Sequence, residues 1–178
     1  MRGLHLRSVR LVAICWSAVR HLALVAATLC LALGAAQAET VVALGASNTY
    51  GKGVARSEAY PAQLEKILRA KGLSVRVINA GVNGEKTASM FSRLDRAVPK
   101  GTNVVILQPG GNDRRKGGTD VTGEIRSRLA ARGIKVVMIE NSMLRGLPLQ
   151  PDHQHPTPEG YRMLAQSVAS QVAGALGR

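Results

Sequence analysis

The sequence predicts an α/β fold built on a small, mostly parallel sheet of about four to five strands. Beyond residue 40, short β-branched apolar runs alternate with longer amphipathic stretches, which is the pattern of parallel strands joined by crossover helices. Each short run is apolar through its middle, as a strand buried on both faces requires. Ligands of open parallel sheets bind beyond the carboxyl ends of the strands, so we expect the functional residues directly after these runs.

The elements follow from local patterns along the chain. The apolar runs predict strands over residues 40–44, 74–79, 103–108 and 135–140. A helix is predicted over 60–70, with apolar residues at helical spacing and Pro61 in the first turn. Weaker amphipathic patterns predict helices over 88–96 and 121–132. The last helix begins at Thr157, a good capping residue that is followed by Pro158.

The first 38 residues differ in composition from the rest of the chain. Four arginines and no acidic residue precede an apolar run over 22–33, and Ala36-Gln37-Ala38 follows it. This order is that of an export signal with its cleavage site. The run is shorter than the ~20 apolar residues of a membrane-spanning helix. We therefore expect cleavage after Ala38 and a periplasmic or secreted protein without a stable membrane anchor, with retention as an uncleaved anchor as the alternative.

Residues 39–178 are enough for one domain, which we expect to be stabilised by packing alone. Cys15 and Cys30 both lie in the first 38 residues, so the domain has neither a disulfide nor thiol chemistry. Without the four N-terminal arginines, 20 basic residues stand against 11 acidic ones, a net charge of +9. This charge suits an anionic surface, or it is simply a solvated basic surface. A nucleic-acid partner is not expected, because the domain is exported and has few aromatic rings for base stacking.

Three residues with the chemistry of a serine hydrolase are spread along the domain. Ser47 follows the first predicted strand in Gly45-Ala46-Ser47-Asn48, and Asp152 precedes His155 by three residues near the carboxyl end. A serine hydroxyl is a weak nucleophile until an imidazole accepts its proton, and a carboxylate holds that imidazole in one tautomer. Spacing in the sequence leaves open whether the three side chains meet.

Four blocks occur in order along the domain: Gly45-Ala46-Ser47, Gly84 after the second strand, Gly110-Gly111-Asn112-Asp113, and Asp152 through Pro156. Together they resemble the SGNH hydrolases, also called GDSL esterases and lipases, over nearly all of residues 40–178. The resemblance is to the bacterial lysophospholipase, thioesterase and arylesterase group. It implies a three-layer α/β/α sandwich of the flavodoxin-like kind.

The resemblance also implies a catalytic apparatus. Ser47, His155 and Asp152 would form a triad, and the backbone amides of Ser47 and Gly84 with the side-chain amide of Asn112 would form an oxyanion hole. Removing one such donor typically raises the barrier by about 3–4 kcal/mol. No metal or organic cofactor is needed. The expected reaction is hydrolysis of small acyl esters or thioesters, with lysophospholipids and acetylated sugars within the family's range.

Two departures from the family pattern favour an alternative, a non-catalytic module that keeps the fold and binds a carbohydrate or a lipid headgroup. Ala46 stands where the family has an aspartate beside the nucleophile. Asn112 and Asp152 are only 40 positions apart, which leaves room for one helix and one strand where familiar members carry a further pair. Ser47, Gly84 and Asn112 can also be ordinary turn residues.

Two further features have more than one interpretation. His153 can replace His155 as the base, or it can join His155 and Asp152 at a metal site, although three ligands within four residues converge poorly. Residues 114–116, Arg-Arg-Lys, directly follow the asparagine block. They can contact an anionic part of the substrate, or they can be a solvated run of charge.

Overall fold

The apolar runs of the sequence form a four-stranded parallel sheet. The computed structural model describes residues 37–178, so all but the last two residues of the expected signal segment, residues 1–38, lie outside the described residues. The strands are β1 (Glu39–Gly45), β2 (Val75–Gly81), β3 (Thr102–Gln108) and β4 (Lys135–Met138). They lie in the order β2-β1-β3-β4, and every neighbouring pair is parallel. The predicted parallel sheet is confirmed, with four strands where four to five were expected.

Helices connect the strands and cover the sheet. Within residues 37–178 they are α1 (Ser47–Tyr50), α2 (Tyr60–Ala70), α3 (Thr87–Ser92), α4 (Leu94–Ala97), α5 (Asn112–Lys116), α6 (Thr122–Ala131), a 3-10 helix (Asn141–Leu144) and α7 (Pro158–Ala175). The helices expected over 60–70 and 121–132 are confirmed, while the one expected over 88–96 is divided at Arg93 into α3 and α4. The sequence predicts no helix at α1, at α5 or at the 3-10 helix, and the structure has one at each of these places. Helices of four or five residues make little more than one turn, so they show no apolar period in the sequence.

Alternate residues of the strands pack against different helices. In β1, Val41 and Ala43 lie in the core with α2 and α7, while Val42 and Leu44 lie in the core with α3, α4 and α6. This alternation follows from the two-residue period of a strand. All four side chains are fully buried, so β1 is covered on both faces. The fold is therefore the three-layer α/β/α sandwich that was expected.

The last helix, α7, begins as the sequence predicts. Thr157 lies at the N-cap and its hydroxyl accepts the amide of Gly160 at 3.2 Å, while Pro158 occupies the first helical position. One face of the helix, including Leu164 and Val168, is fully buried against the sheet. Across residues 37–178, no helix combines the length and the apolarity that crossing a bilayer requires.

Two glycines at the carboxyl ends of β1 and β2 allow α1 to lie directly against the sheet. Gly45 pairs with Gly81 in register. A Cβ at Gly45 would lie 2.2 Å from the hydroxyl oxygen of Thr49, and a Cβ at Gly81 would lie 2.2 Å from the backbone nitrogen of Tyr50. Only glycine permits these contacts, because real Cβ atoms do not approach so closely. The close approach keeps α1, which begins at Ser47, packed against the carboxyl end of β1, one of the two inner strands.

Gly81→Ala is expected to lower the free energy of unfolding by about 1–3 kcal/mol, the range of overpacked sites. The added methyl group meets backbone atoms of Tyr50, which cannot move without displacing α1. Urea denaturation followed by circular dichroism measures the change. Gly174→Ala in α7 is the control, since a Cβ there meets nothing within 4 Å and alanine favours a helix by about 0.5–1 kcal/mol. Equal stability of Gly81→Ala and the wild type would contradict this account of the packing.

Candidate active site

Ser47 is the first residue of α1, immediately beyond the central strand β1. Ala46 occupies the N-cap position, is 2% exposed and contributes no side-chain cap. The first N–H groups of a helix have no partner within it, so the backbone amide of Ser47 is directed away from the helix rather than into it. Asn112 begins α5 in the same way beyond β3, the neighbouring strand. From β1 the chain continues to β2 on one side, and from β3 it continues to β4 on the other side. Ligands of parallel sheets bind at such a point, where the connections of neighbouring strands diverge.

A tight loop before α7 carries Asp152 and His155. The carbonyl of Gln150 accepts the amide of His153 at 2.9 Å, which closes a turn. Oδ1 of Asp152 accepts the backbone amides of Gln154 and His155, each at 3.0 Å, as aspartates do in Asx turns. These local bonds explain the three-residue spacing, because they hold the carboxylate beside the imidazole.

One side chain attaches this loop to the turn that follows α1. The side-chain amide of Gln150 donates to the carbonyl of Lys52 and to the carbonyl of Pro156, both at 2.8 Å. Lys52 in turn donates its backbone amide to the carbonyl of Ser47 at 3.1 Å. Two stretches about a hundred residues apart are thereby joined, and His155 faces Ser47.

Ser47, His155 and Asp152 form a continuous line of hydrogen bonds. Nε2 of His155 lies 2.9 Å from Oγ of Ser47, and Nδ1 lies 2.5 Å from Oδ2 of Asp152. An ionised carboxylate only accepts, so Nδ1 carries the proton and Nε2 is left to accept from the hydroxyl. His155 is 6% exposed, whereas the Asp152 side chain is 38% exposed, so water is kept from the imidazole but reaches the carboxylate. The structure therefore brings together the three side chains that the sequence singled out, with alanine at position 46.

The hydrogen bonds around Asp152 hold its carboxylate in the ionised form. The His155 imidazole, followed by the backbone amides of His155 and Gln154, lowers the pKa of Asp152 well below the usual aspartate range. A carboxyl group with a lowered pKa stabilises the fold above the ordinary aspartate pKa, and that contribution is lost as the pH falls through the lowered value. At neutral pH the group is an anion, the form that can stabilise an imidazolium.

Both ends of the Asn112 carboxamide make hydrogen bonds. Nδ2 donates to the carbonyl of Glu85 at 2.8 Å, and Oδ1 accepts from Nη2 of Arg115 at 2.7 Å. Gly84, the residue before Glu85, accepts from Nζ of Lys116 at 2.8 Å through its carbonyl. In the part of the chain that the structure describes, Gly84 is not among the residues that line the cavity beside Ser47. Its expected role as an amide donor stays a prediction.

A cavity of about 150 Å³ adjoins Ser47, Asn112 and His155. Besides those three residues, its wall includes the polar residues Asn48, Gln108, Arg115, Asn141 and Gln154 and the apolar residues Ala46 and Leu144. Cavities of this volume hold about one benzene-sized group. The site thus has space for a small acyl group and groups that can donate hydrogen bonds to it.

The structure distinguishes between the alternatives for the two ambiguous features. His155 contacts Ser47, whereas His153 adopts a left-handed backbone conformation with φ of 55° in the turn. Across residues 37–178, no three His, Cys, Asp or Glu side chains gather in a way that could hold a metal ion. The contact of Arg115 with Asn112 was missed by sequence reasoning. Residues three apart share a helix face, but that signal is readable only once α5 is known to be a helix.

The chain is similar to known esterases and to a family of acyl hydrolases. A model of the GDSL-like lipase/acylhydrolase family matches residues 43–154. Esterase TesA from Pseudomonas aeruginosa is 28% identical over 149 residues, covering 79% of this chain and 70% of the relative. Among solved structures, AlinE4, an SGNH-hydrolase family esterase, is 26% identical with a TM-score of 0.53, over 79% of this chain and 97% of its own. The match to the family model spans Ser47, Asn112 and Asp152 and ends one residue before His155.

A second solved structure supports the architecture alone. The psychrotrophic esterase EstA from Pseudoalteromonas sp. superposes with a TM-score of 0.65 over 79% of this chain and 100% of its own. The two sequences are 15% identical, so the likeness concerns the fold. AlinE4 and EstA each cover 79% of the chain. The compact unit Ala38–Arg178 makes up about the same share of it.

Proposed function

The chain belongs to the GDSL-like lipase/acylhydrolase family, and we propose that it is an exported serine esterase or thioesterase that hydrolyses small acyl esters through an acyl-Ser47 intermediate. Its family and its relatives make it an esterase-type hydrolase. The catalytic residues, the size of the acyl group and the export belong to the proposal. The observation that carries it is the 2.9 Å contact between Ser47 Oγ and His155 Nε2.

Acylation begins when Ser47 attacks the carbonyl carbon of the ester. Oγ forms a bond to carbon while its proton passes to Nε2 of His155, and Asp152 stabilises the imidazolium through Nδ1. The carbonyl oxygen becomes an oxyanion, which the backbone amide of Ser47 and the side-chain amide of Asn112 stabilise, with Gly84 as the third donor. The tetrahedral species collapses as the alcohol or thiol leaves with the proton from His155. The acyl group is then bound to Ser47.

Deacylation repeats these steps with water as the nucleophile. His155 takes a proton from the water, and the resulting hydroxide adds to the acyl carbon. The second tetrahedral species releases the carboxylic acid, and the proton on His155 returns to Ser47. The protein therefore ends the cycle unchanged, with one molecule of water consumed.

The cavity supports small acyl groups as substrates. Its volume of about 150 Å³ suits a small group, and burying a long acyl chain against the polar residues of its wall is unfavourable. Export rests on the N-terminal pattern, which we propose is removed after Ala38 to leave residues 39–178 as the hydrolase domain in the periplasm or outside the cell.

A fluorophosphonate probe tests the proposal against the alternative of a non-catalytic module that binds a carbohydrate or a lipid headgroup. The probe is expected to phosphonylate Ser47 in the folded protein, because only an activated serine reacts. Mass spectrometry of the tryptic peptides locates the adduct. Heat-denatured protein is the control and is expected to remain unlabelled, since unfolding separates Ser47 from His155. Absence of an adduct at Ser47 in folded protein would favour the module.

A further inference from the structure

The guanidinium of Arg115 contacts the side chain of Asn112 at the wall of the cavity. Nη2 of Arg115 donates to Oδ1 at 2.7 Å, while Nδ2 of Asn112 donates to the carbonyl of Glu85 at 2.8 Å. Asn112 is 3% exposed, so water competes little for these bonds. A carboxamide has two N–H groups, which leaves one for a ligand in the cavity.

The two contacts select a single orientation of the carboxamide. A half-turn of the amide would bring Oδ1 against the carbonyl oxygen of Glu85 and Nδ2 against the guanidinium of Arg115. Both pairs would be unfavourable, acceptor against acceptor and donor against donor. The terminal torsion of asparagine has no sharp preference of its own. The partners of Asn112 therefore determine where its remaining N–H points.

Glu85 holds one side of the carboxamide because its own position is secured. Nε and Nη2 of Arg93 donate to the two carboxylate oxygens of Glu85 at 2.6 and 2.5 Å. The pair is largely buried, with the arginine side chain 14% and the glutamate side chain 6% exposed. Nη2 also donates to the carbonyl of Ala80 in β2 at 2.8 Å. This side of the carboxamide is thus tied to the sheet.

Arg115 holds the other side with a charged donor. Hydrogen bonds with one ionised partner are roughly twice as strong as neutral ones. Donation to the oxygen of an amide also polarises it, so its N–H becomes a better donor. Arg115 is itself an exposed residue, but its Nη2 reaches Oδ1 of the buried Asn112, a contact that a charge serving only the net charge of the protein would not need.

We propose that Arg115 is a positioning residue of the oxyanion hole, which fixes and polarises the carboxamide of Asn112 so that its remaining N–H meets the oxyanion. This inference rests on the proposed function, because it requires Asn112 to be an oxyanion donor. Arg115 then acts chiefly on kcat. An interaction that matters only in the transition state lowers kcat and kcat/KM equally when it is removed.

The test is a double-mutant cycle of Arg115→Gln and Asn112→Ala, assayed on a neutral and an anionic acyl ester of equal chain length. Asn112→Ala is expected to lower kcat by about 10²–10³-fold, as loss of an oxyanion donor does. Arg115→Gln leaves the donor in place but loosens it, so we expect a loss of about tenfold in kcat on both esters. In the Asn112→Ala background, Arg115→Gln is expected to have no further effect, because its action passes through Asn112.

Arg114→Gln is the matched control, since it removes the same charge from the neighbouring exposed position of α5. Its kcat is expected to equal that of the wild type. An unchanged kcat in Arg115→Gln, or an equal loss in Arg114→Gln, would overturn the inference. Independent losses that multiply in the double variant would also overturn it.

A loss confined to KM for the anionic ester would assign Arg115 to substrate recognition and would likewise overturn the inference. Thermal unfolding verifies that each variant is folded, and Arg115→Ala repeats the measurement with a second side chain. A wild-type protein that hydrolyses neither ester would instead contradict the proposed function.

Discussion

Replacing Ser47 with alanine is expected to reduce the turnover of acyl ester hydrolysis by about a million-fold. The variant lacks the oxygen that forms the acyl intermediate, and a water molecule would have to attack without the placement that α1 gives to Oγ. The contact of 2.9 Å with His155 is the physical reason to expect so large a loss. Chromogenic acyl esters of graded chain length measure the rates, and the same series reports the preferred acyl group.

Ser57→Ala is the matched control for this substitution. Ser57 is exposed and lies in the loop before α2, so its hydroxyl has no access to the proposed chemistry. Its turnover is expected to match that of the wild type. If Ser47→Ala hydrolysed esters as fast as Ser57→Ala, an acyl-Ser47 intermediate would be excluded.

Replacing Asp152 with asparagine is expected to lower turnover by about 10⁴-fold while the fold persists. The asparagine amide can face Nδ1 of His155 as a donor, which favours the tautomer with the proton on Nε2. That nitrogen can then no longer accept from Ser47, and the imidazolium loses its stabilising anion. The same change should slow the reaction with the fluorophosphonate probe, which reports the nucleophile separately from substrate binding.

Asp95→Asn removes an acidic side chain of similar size from α4, where Asp95 is 67% exposed and pairs with Arg128 and Arg132. Exposed ion pairs contribute only about 0–1 kcal/mol, so turnover and stability should stay close to the wild type. A turnover of Asp152→Asn within a factor of about ten of the Asp95→Asn control would rule out Asp152 as the residue that orients the base.

Much of the fold could be predicted because burial leaves a periodic record in the sequence. Strands that are covered on both faces need unbroken apolar residues, and each of the four apolar runs became a strand with bounds shifted by one to two residues. Helix α7 could be located from Thr157 and Pro158, because capping depends on neighbouring residues only. The division of α3 from α4 at Arg93 could not be predicted, since residues 88–96 contain neither glycine nor proline to mark it.

The short helices at the site left no such record. One turn of helix buries too few residues to create a period, so no helix was predicted at α5, and Arg115 was interpreted only as one member of a charged run. Its contact with Asn112 depends on that turn being helical. The link from Gln150 to Lys52 likewise joins positions that no local pattern relates.

Residue types and their order established the α/β class, the family resemblance and a short set of reactive side chains, because these properties are local and additive along the chain. Whether Ser47 reaches His155, 108 positions away, depended on how the elements pack. A hydrogen bond requires its atoms to lie within a few tenths of an ångström of the right separation. That precision arises from glycines that let α1 approach the sheet and from bonds between distant loops, and it exists only in the folded molecule.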